Sequence, residues 1–306
     1  MIKLCGPAPA ALAALALLAI LTCGGCSGND PADPPAPNLE PVVRQLTDND
    51  LWEANPVYSP DGQWILFERE TDGNRDLWRI PADGGAAERL TDHPAADTAP
   101  DWSPDGTRIV FESERDGNKN LWLLDLSTAA PTPVSVTKGV WDDGDPAWSP
   151  DGTAVVYASN RTGTPELWIS FPGGGEDRQL TATGAGSYVR TADWSPTGDR
   201  IVCESNLGGA SALFLVDPAD GAMTRLTPEA GYEGHPAWSP DGAWIAFESS
   251  LGGTMEVWVV PAAGGDALRI TTGGGFWPQW SPDGTAIVYC AYGAGEPDVW
   301  TVEVTW

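Results

Sequence analysis

Trp102-Ser103-Pro104-Asp105-Gly106, followed after one residue by Arg108-Ile109-Val110-Phe111-Glu112, is the stretch that decides the fold. Proline presets φ for the second position of a tight turn, aspartate accepts from nearby backbone amides, and glycine tolerates positive φ at the exit. The alternating apolar run that follows reads as a half-buried strand. The phrase is therefore a hairpin turn and not a catalytic loop. It recurs at Tyr58 to Gly62, Trp148 to Gly152, Trp194 to Gly198, Trp238 to Gly242 and Trp280 to Gly284, with successive copies 44, 46, 46, 44 and 42 residues apart. A repeat of about 40 to 50 residues marks propeller blades.

Each unit continues alike. A third run ends in Leu-Trp or Val-Trp (Leu77-Trp78, Leu121-Trp122, Leu167-Trp168, Val257-Trp258, Val299-Trp300), and a Gly-rich turn then leads to Arg-Leu-Thr or a variant. The expectation is an all-β, six-bladed β-propeller of four-stranded antiparallel blades, with the third-strand tryptophans packed between blades. In the fourth unit Thr197 stands where the others have aspartate, which should weaken that turn.

Leu-Thr-like pairs fall at 46–47, 90–91, 136–137, 180–181, 226–227 and 270–271. The first precedes every Ser-Pro-Asp-Gly copy, and the last unit stops after a third strand. Residues 42–47 are thus expected to complete the last blade, which closes the ring and removes exposed sheet edges.

These repeats resemble the TolB-like propeller family, related to the WD-type propellers, over residues 42–306. The resemblance implies the fold strongly and the function weakly, because one superfold hosts many tasks. Too few residues precede the first strand for the α/β domain that the family's Tol-system prototype carries before its propeller, so a direct Tol-system role is not implied. Related repeats also form the propeller half of prolyl-oligopeptidase-like peptidases, but the Gly-x-Ser-x-Gly elbow of their hydrolase domain is not present.

Ahead of the propeller, Lys3, an apolar run from Ala10 to Leu21 and small residues up to Cys26 read as an export signal, residues 1–26. The run is shorter than the ~20 residues of a spanning helix. Cys26, preceded by Gly24 and Gly25, resembles a lipobox cysteine, with Cys23 the weaker alternative. Acylation there implies a periplasmic or cell-surface lipoprotein held at the outer membrane by its lipid alone. Residues 27–41, with five prolines among small and acidic residues, read as a tether. Cys203 and Cys290 fall in different blades and read as buried small hydrophobes, not a disulfide.

A formal charge of -27, from 43 acidic and 16 basic residues, repels phosphate backbones and excludes nucleic acid as a partner. It attracts basic segments.

Loops entering the innermost strands converge at one mouth of the central channel. Three residues before the proline, or its equivalent, stand Glu53, Asp97, Asp143, Val189, Glu233 and Gly275. Beside them lie Trp52, Trp141, Tyr188, Tyr232, Phe276 and Trp277, with Arg190 the one base of the set. Aromatic and carboxylate rims suit a peptide, a sugar or a cationic group. The expected function is non-catalytic binding of an envelope protein or peptide, basic in character, or of a glycan. The alternatives are a carbohydrate-active or metal-assisted enzyme at the same mouth, with carboxylates such as Asp97 and Asp143 as acid and base, and a purely structural or sensor domain. No catalytic residue, metal ligand or cofactor is expected. Calcium is the one ion that Asp48-Asn49-Asp50 or Asp142-Asp143-Gly144-Asp145 could hold, although neither completes a calcium loop. His93 and His235 read as solvated loop histidines.

Overall fold

The computed structural model describes residues 42–228, 231–293 and 295–304. The signal, Cys26 and the tether lie outside these residues. The described chain forms six four-stranded antiparallel sheets. Their innermost strands are Glu53–Tyr58, Asp97–Trp102, Asp143–Trp148, Val189–Trp194, Glu233–Trp238 and Phe276–Trp280, here blades 1 to 6. In blade 6, Phe276–Trp280, Ala286–Tyr292 and Pro297–Glu303 are completed by Val43–Gln45 from the other end of the chain. Val43 pairs with Val302, Arg44 with Thr301 and Gln45 with Trp300, as the Leu-Thr pattern predicts.

The Ser-Pro-Asp-Gly turn works through its side chains. In blade 1, Ser59 donates its hydroxyl to Asp61 Oδ1 at 2.6 Å, Gln63 donates its N–H to the same oxygen at 3.0 Å, and Trp64 donates to Ser59 Oγ at 2.9 Å. Gly62 sits at φ 69°, where a side chain would be strained. Blade 4 is not the weak turn that Thr197 suggested. Asp199, two residues on, accepts from both Ser195 Oγ at 2.9 Å and Thr197 Oγ1 at 2.5 Å.

Apolar residues of neighbouring blades interlock. Ile65, Phe67 and Ile80 of blade 1 pack against Val288, Cys290 and Val299 of blade 6. Cys203 and Cys290 are buried free thiols in separate blades. The third-strand tryptophans pack half-buried against such clusters, and Arg69, Arg115 and Arg161 lie over Trp78, Trp122 and Trp168 at 4.8, 4.7 and 4.3 Å.

Every innermost strand is bulged near its start. In blade 1 the register runs Glu53 to Arg69 and Ala54 to Glu68, then skips to Val57 with Leu66. Pro56, Pro100, Pro146, Pro236 and Pro278 stand inside these bulges, where a missing N–H costs no ladder bond. The bulge turns one side chain per blade toward the axis.

Candidate functional site: the axial mouth

That side chain belongs to Asn55, Ala99, Asp145, Thr191, His235 or Trp277, at φ 48, 46, 51, 46, 46 and 51°. All six equivalent positions are left-handed and none is glycine. The left-handed region costs a non-glycine residue ~1–2 kcal/mol, and a β-branched Thr191 or a bulky Trp277 is especially uncommon there. The six residues line an axial cavity of about 120 Å³. A second layer behind them is formed by Val57, Asp101, Ala147, Asp193, Ala237 and Gln279.

Buried glutamates hold the ring together. Ala99 donates its N–H to Glu68 Oε1 of the preceding blade at 2.7 Å, Asp145 to Glu112 Oε1 at 2.8 Å, and Trp277 to Glu248 Oε2 at 3.0 Å. These carboxylates are nearly sealed from solvent. Each has one cation: Arg75 lies 3.5 Å from Glu68, Lys119 2.8 Å from Glu112, and His235 Nδ1 3.0 Å from Glu248. In blade 4, Arg190 reaches Glu204 at 2.9 Å. Burial pushes the His235 pKa down, but the charge and hydrogen bond of Glu248 outweigh it, so the imidazole is raised above its usual value. Glu248 is correspondingly lowered against the pull of its own burial.

Two aspartates of the second layer make further links between blades. Asp101 Oδ2 accepts from Trp148 N–H and Asp193 Oδ2 from Trp238 N–H, both at 2.7 Å. Burial raises each to about 7. Asp145 is raised to about 6 by burial and by Glu112.

The acids singled out from the sequence lie elsewhere. Glu53 is buried against Arg69 at 2.6 Å, Asp97 against Arg115 at 2.7 Å, and Asp143 against Arg161 at 3.0 Å. Glu233 is buried and accepts from the Thr227 hydroxyl. Val189 and Gly275 are buried too. These six form a seal beneath the rim, two residues before the ring. Asp97 and Asp143 sit in separate ion pairs.

The remaining predicted residues fall into two groups and one outlier. Tyr188, Arg190 and Tyr232 converge on Glu204, the tyrosine hydroxyls at 3.0 and 3.3 Å. Gly234 permits this, since a Cβ there would stand 2.4 Å from the Tyr232 hydroxyl and 2.7 Å from Glu204 Oε2. Trp52, Phe276 and Trp277 join Tyr292 in an aromatic cluster with centroid separations of 5.6 to 6.0 Å. Trp141 stands apart on the blade 3 rim, 44% exposed, with Arg161 at 5.8 Å.

His93 caps its own turn, accepting from Ala95 N–H at 3.0 Å. His235, read from the sequence as a solvated loop residue, instead lines the cavity beside Trp277, 6.1 Å between ring centroids. Sequence reasoning also missed Asn55, Asp101, Asp193 and the four glutamates. The recurring Glu68, Glu112, Glu204 and Glu248, each ending its blade's apolar run, were the available signal. Among the described residues, no three His, Cys, Asp or Glu side chains gather as metal ligands.

Closed sixfold repetition around a polar axial mouth defines a six-bladed propeller with a channel site. Residues 92–206 and 186–305 match the TolB β-propeller domain, and the chain belongs to that family. Residues 37–136 also match the Tricorn protease N-terminal β-propeller domain. A 48-residue stretch is 40% identical to the uncharacterized protein Atu1656 of Agrobacterium fabrum, spanning 16% of this chain and 16% of that protein. TolB from Acinetobacter baumannii superposes with a TM-score of 0.68 at 22% identity, over 77% of this chain and 59% of that one. A protein assigned as TolB in Agrobacterium tumefaciens gives 0.69 at 20% identity, over 86% and 97%. An oligogalacturonate lyase in complex with manganese gives 0.59 at 16% identity, over 88% and 96%. These likenesses establish the shared fold alone.

Proposed function

We propose that this protein is a non-catalytic binding propeller of the cell envelope, which holds a partner protein or peptide at the axial mouth. The observation that carries the reading is the contrast inside the ring. One strained backbone position is repeated six times, yet it carries six different side chains facing one cavity. A purely structural bulge would favour glycine or asparagine at such φ values. An unlike set of Asn, Ala, Asp, Thr, His and Trp is what recognition of an asymmetric ligand requires.

The export-signal reading and the resemblance to TolB support an envelope location, with acylation at Cys26 as the anchor. The acidic surface favours a basic partner. In affinity capture from envelope extract, the protein retains a partner that the His235→Ala/Trp277→Gly variant loses. Retention of every captured protein by that variant would remove the mouth from the reading.

One feature favours a second reading. His235 is oriented by Glu248 through Nδ1, as a general base or acid is held by a carboxylate. On that reading a polysaccharide is turned over at the mouth, and His235→Gln abolishes turnover. A flat substrate screen eliminates it.

A further inference from the structure

We propose that the axial cavity receives a single primary ammonium group on an alkyl stem, a lysine side chain of the partner, with Asp145 as counter-ion and Trp277 as the opposite wall. The inference rests on the mouth being the binding surface and adds the chemistry of what enters it.

The charges around the axis do not balance. Glu68, Glu112, Glu204 and Glu248 are each matched by one cation, Arg75, Lys119, Arg190 and His235. Asp101, Asp145 and Asp193, which line the cavity, have no ion pair among the described residues. Asp101 and Asp193 are engaged by backbone N–H groups. The half-buried Asp145 lines the cavity, and its carboxyl accepts no hydrogen bond from a described residue. Carboxylates enclosed without a counter-charge are held toward the protonated form, and an entering cation relieves that cost.

Position and size narrow the ligand. Blades 3 and 6 are opposite one another in a ring of six, so Asp145 and Trp277, at equivalent positions, face each other across the axis. Trp277 is braced by Trp52 and His235 at 6.0 and 6.1 Å. A cation on the axis thus has a carboxylate on one side and an indole within cation–π range on the other. The cavity, about 120 Å³ and walled by prolines, accepts an apolar stem with a compact head. Asp145 is the one carboxylate of the three with both oxygens free of hydrogen bonds from described residues, and in a cavity of this volume a compact ammonium fits where the broader planar guanidinium is crowded. Arg75, Lys119 and Arg190 are 40 to 44% exposed at the rim and repel a second positive charge. The fitting ligand is therefore one lysine flanked by neutral residues.

Affinity rises with pH between about 5 and 8 as the three aspartates, held at about 6 to 7, ionise, and loss of the raised His235 proton acts in the same direction. The other charged groups packed around the cavity are the pairs Glu68–Arg75, Glu112–Lys119 and Glu204–Arg190, and Glu248, the carboxylate partner of His235.

The test is saturation-transfer NMR on the purified protein with Nα-acetyl-lysine methylamide, beside Nα-acetyl-norleucine methylamide, both in EDTA. The lysine probe binds and the norleucine probe does not. Asp145→Asn weakens binding about tenfold or more, with its melting transition intact, and Asp145→Glu restores part of it. Equal signals from the two probes, or an unchanged affinity in Asp145→Asn, overturn the proposal. So does a lysine signal absent in EDTA together with a melting temperature raised by calcium chloride. Capture of the same partner after acetylation of its lysines overturns this inference while leaving the mouth as the binding surface.

Discussion

Blades 1 to 3 and blades 4 to 6 solve one packing problem in two ways. In the first half each innermost strand opens with an acid, Glu53, Asp97 or Asp143, buried against Arg69, Arg115 or Arg161, and each arginine also lies over a tryptophan. In the second half the position of Arg115 and Arg161 is taken by Leu207, Leu251 and Gly293, beside Val189, Glu233 and Gly275, whereas Arg69 of blade 1 stands two residues earlier, directly across from Glu53. The backbone is the same, so the ionic seal is not required to build a blade. The second half instead gathers Tyr188 and Tyr232 on Glu204 and sets Phe276 against Trp277, which lines the cavity. One half of the ring is sealed by ion pairs and the other without them, although both halves line the cavity.

Breaking the ionic half gives the largest expected effect. Arg115→Ala leaves Asp97 buried and uncompensated, and should lower unfolding free energy by about 3–5 kcal/mol. Converting the pair to its blade 4 counterpart, Asp97→Val with Arg115→Leu, should recover most of that loss. Urea denaturation of both variants decides it, and a double variant as unstable as the single would show that blade 2 needs its charges.

Next in size is a pH effect centred on the aspartate links. The folded pKa values of Asp101 and Asp193, about 7, lie above the ordinary aspartate value of 3.8. The native state therefore holds these protons more tightly than the unfolded chain, and stability is lost as pH rises from near 4 through about 7. The raised His235 adds a loss of the same sign as pH passes its folded pKa. The turn acids such as Asp105, lowered to about 2, act in the opposite direction but only below pH 4. Unfolding free energy should fall between pH 5 and 8 by on the order of 2 kcal/mol per aspartate, and Asp101→Asn with Asp193→Asn should flatten that slope.

The smallest effect sharpens the comparison at the ring itself. Ala99, at φ 46° with a side chain too small to reach a ligand, gains when it becomes glycine, by about 0.5 kcal/mol after the added unfolded-state entropy. The same change at Trp277 should impair binding. A melting temperature unchanged or lowered in Ala99→Gly would mean that the left-handed positions carry no strain.

The propeller was legible because its evidence is periodic: turn chemistry and apolar alternation agree in six copies, and the closing Leu-Thr pair points to its blade. The mouth was legible only in outline. Alternation assigns faces by counting twos, and the proline bulge inserts a residue, so Glu53, Asp97, Asp143 and Glu233 turned into the seal while Asn55, Asp145 and His235 turned to the axis. Tyr188, Arg190 and Tyr232 were recognisable as a group, but Glu204, which unites them, belongs to the next strand and looked like the end of an apolar run. Charge and aromatic content announce a rim; they do not say which member of each loop reaches the channel.

Ring closure also sets an order of events. Val43 and Val302 meet in one three-residue pairing although they lie about 260 residues apart in the chain. Joining them costs roughly 3 kcal/mol more loop entropy than closing a hairpin. Each blade can form from local hairpins, whereas the closing strand has little to hold it until the other five blades stand in place. The chain should therefore collapse early into an open crescent and latch late, and the seam between blades 6 and 1 should be where amide protons exchange first.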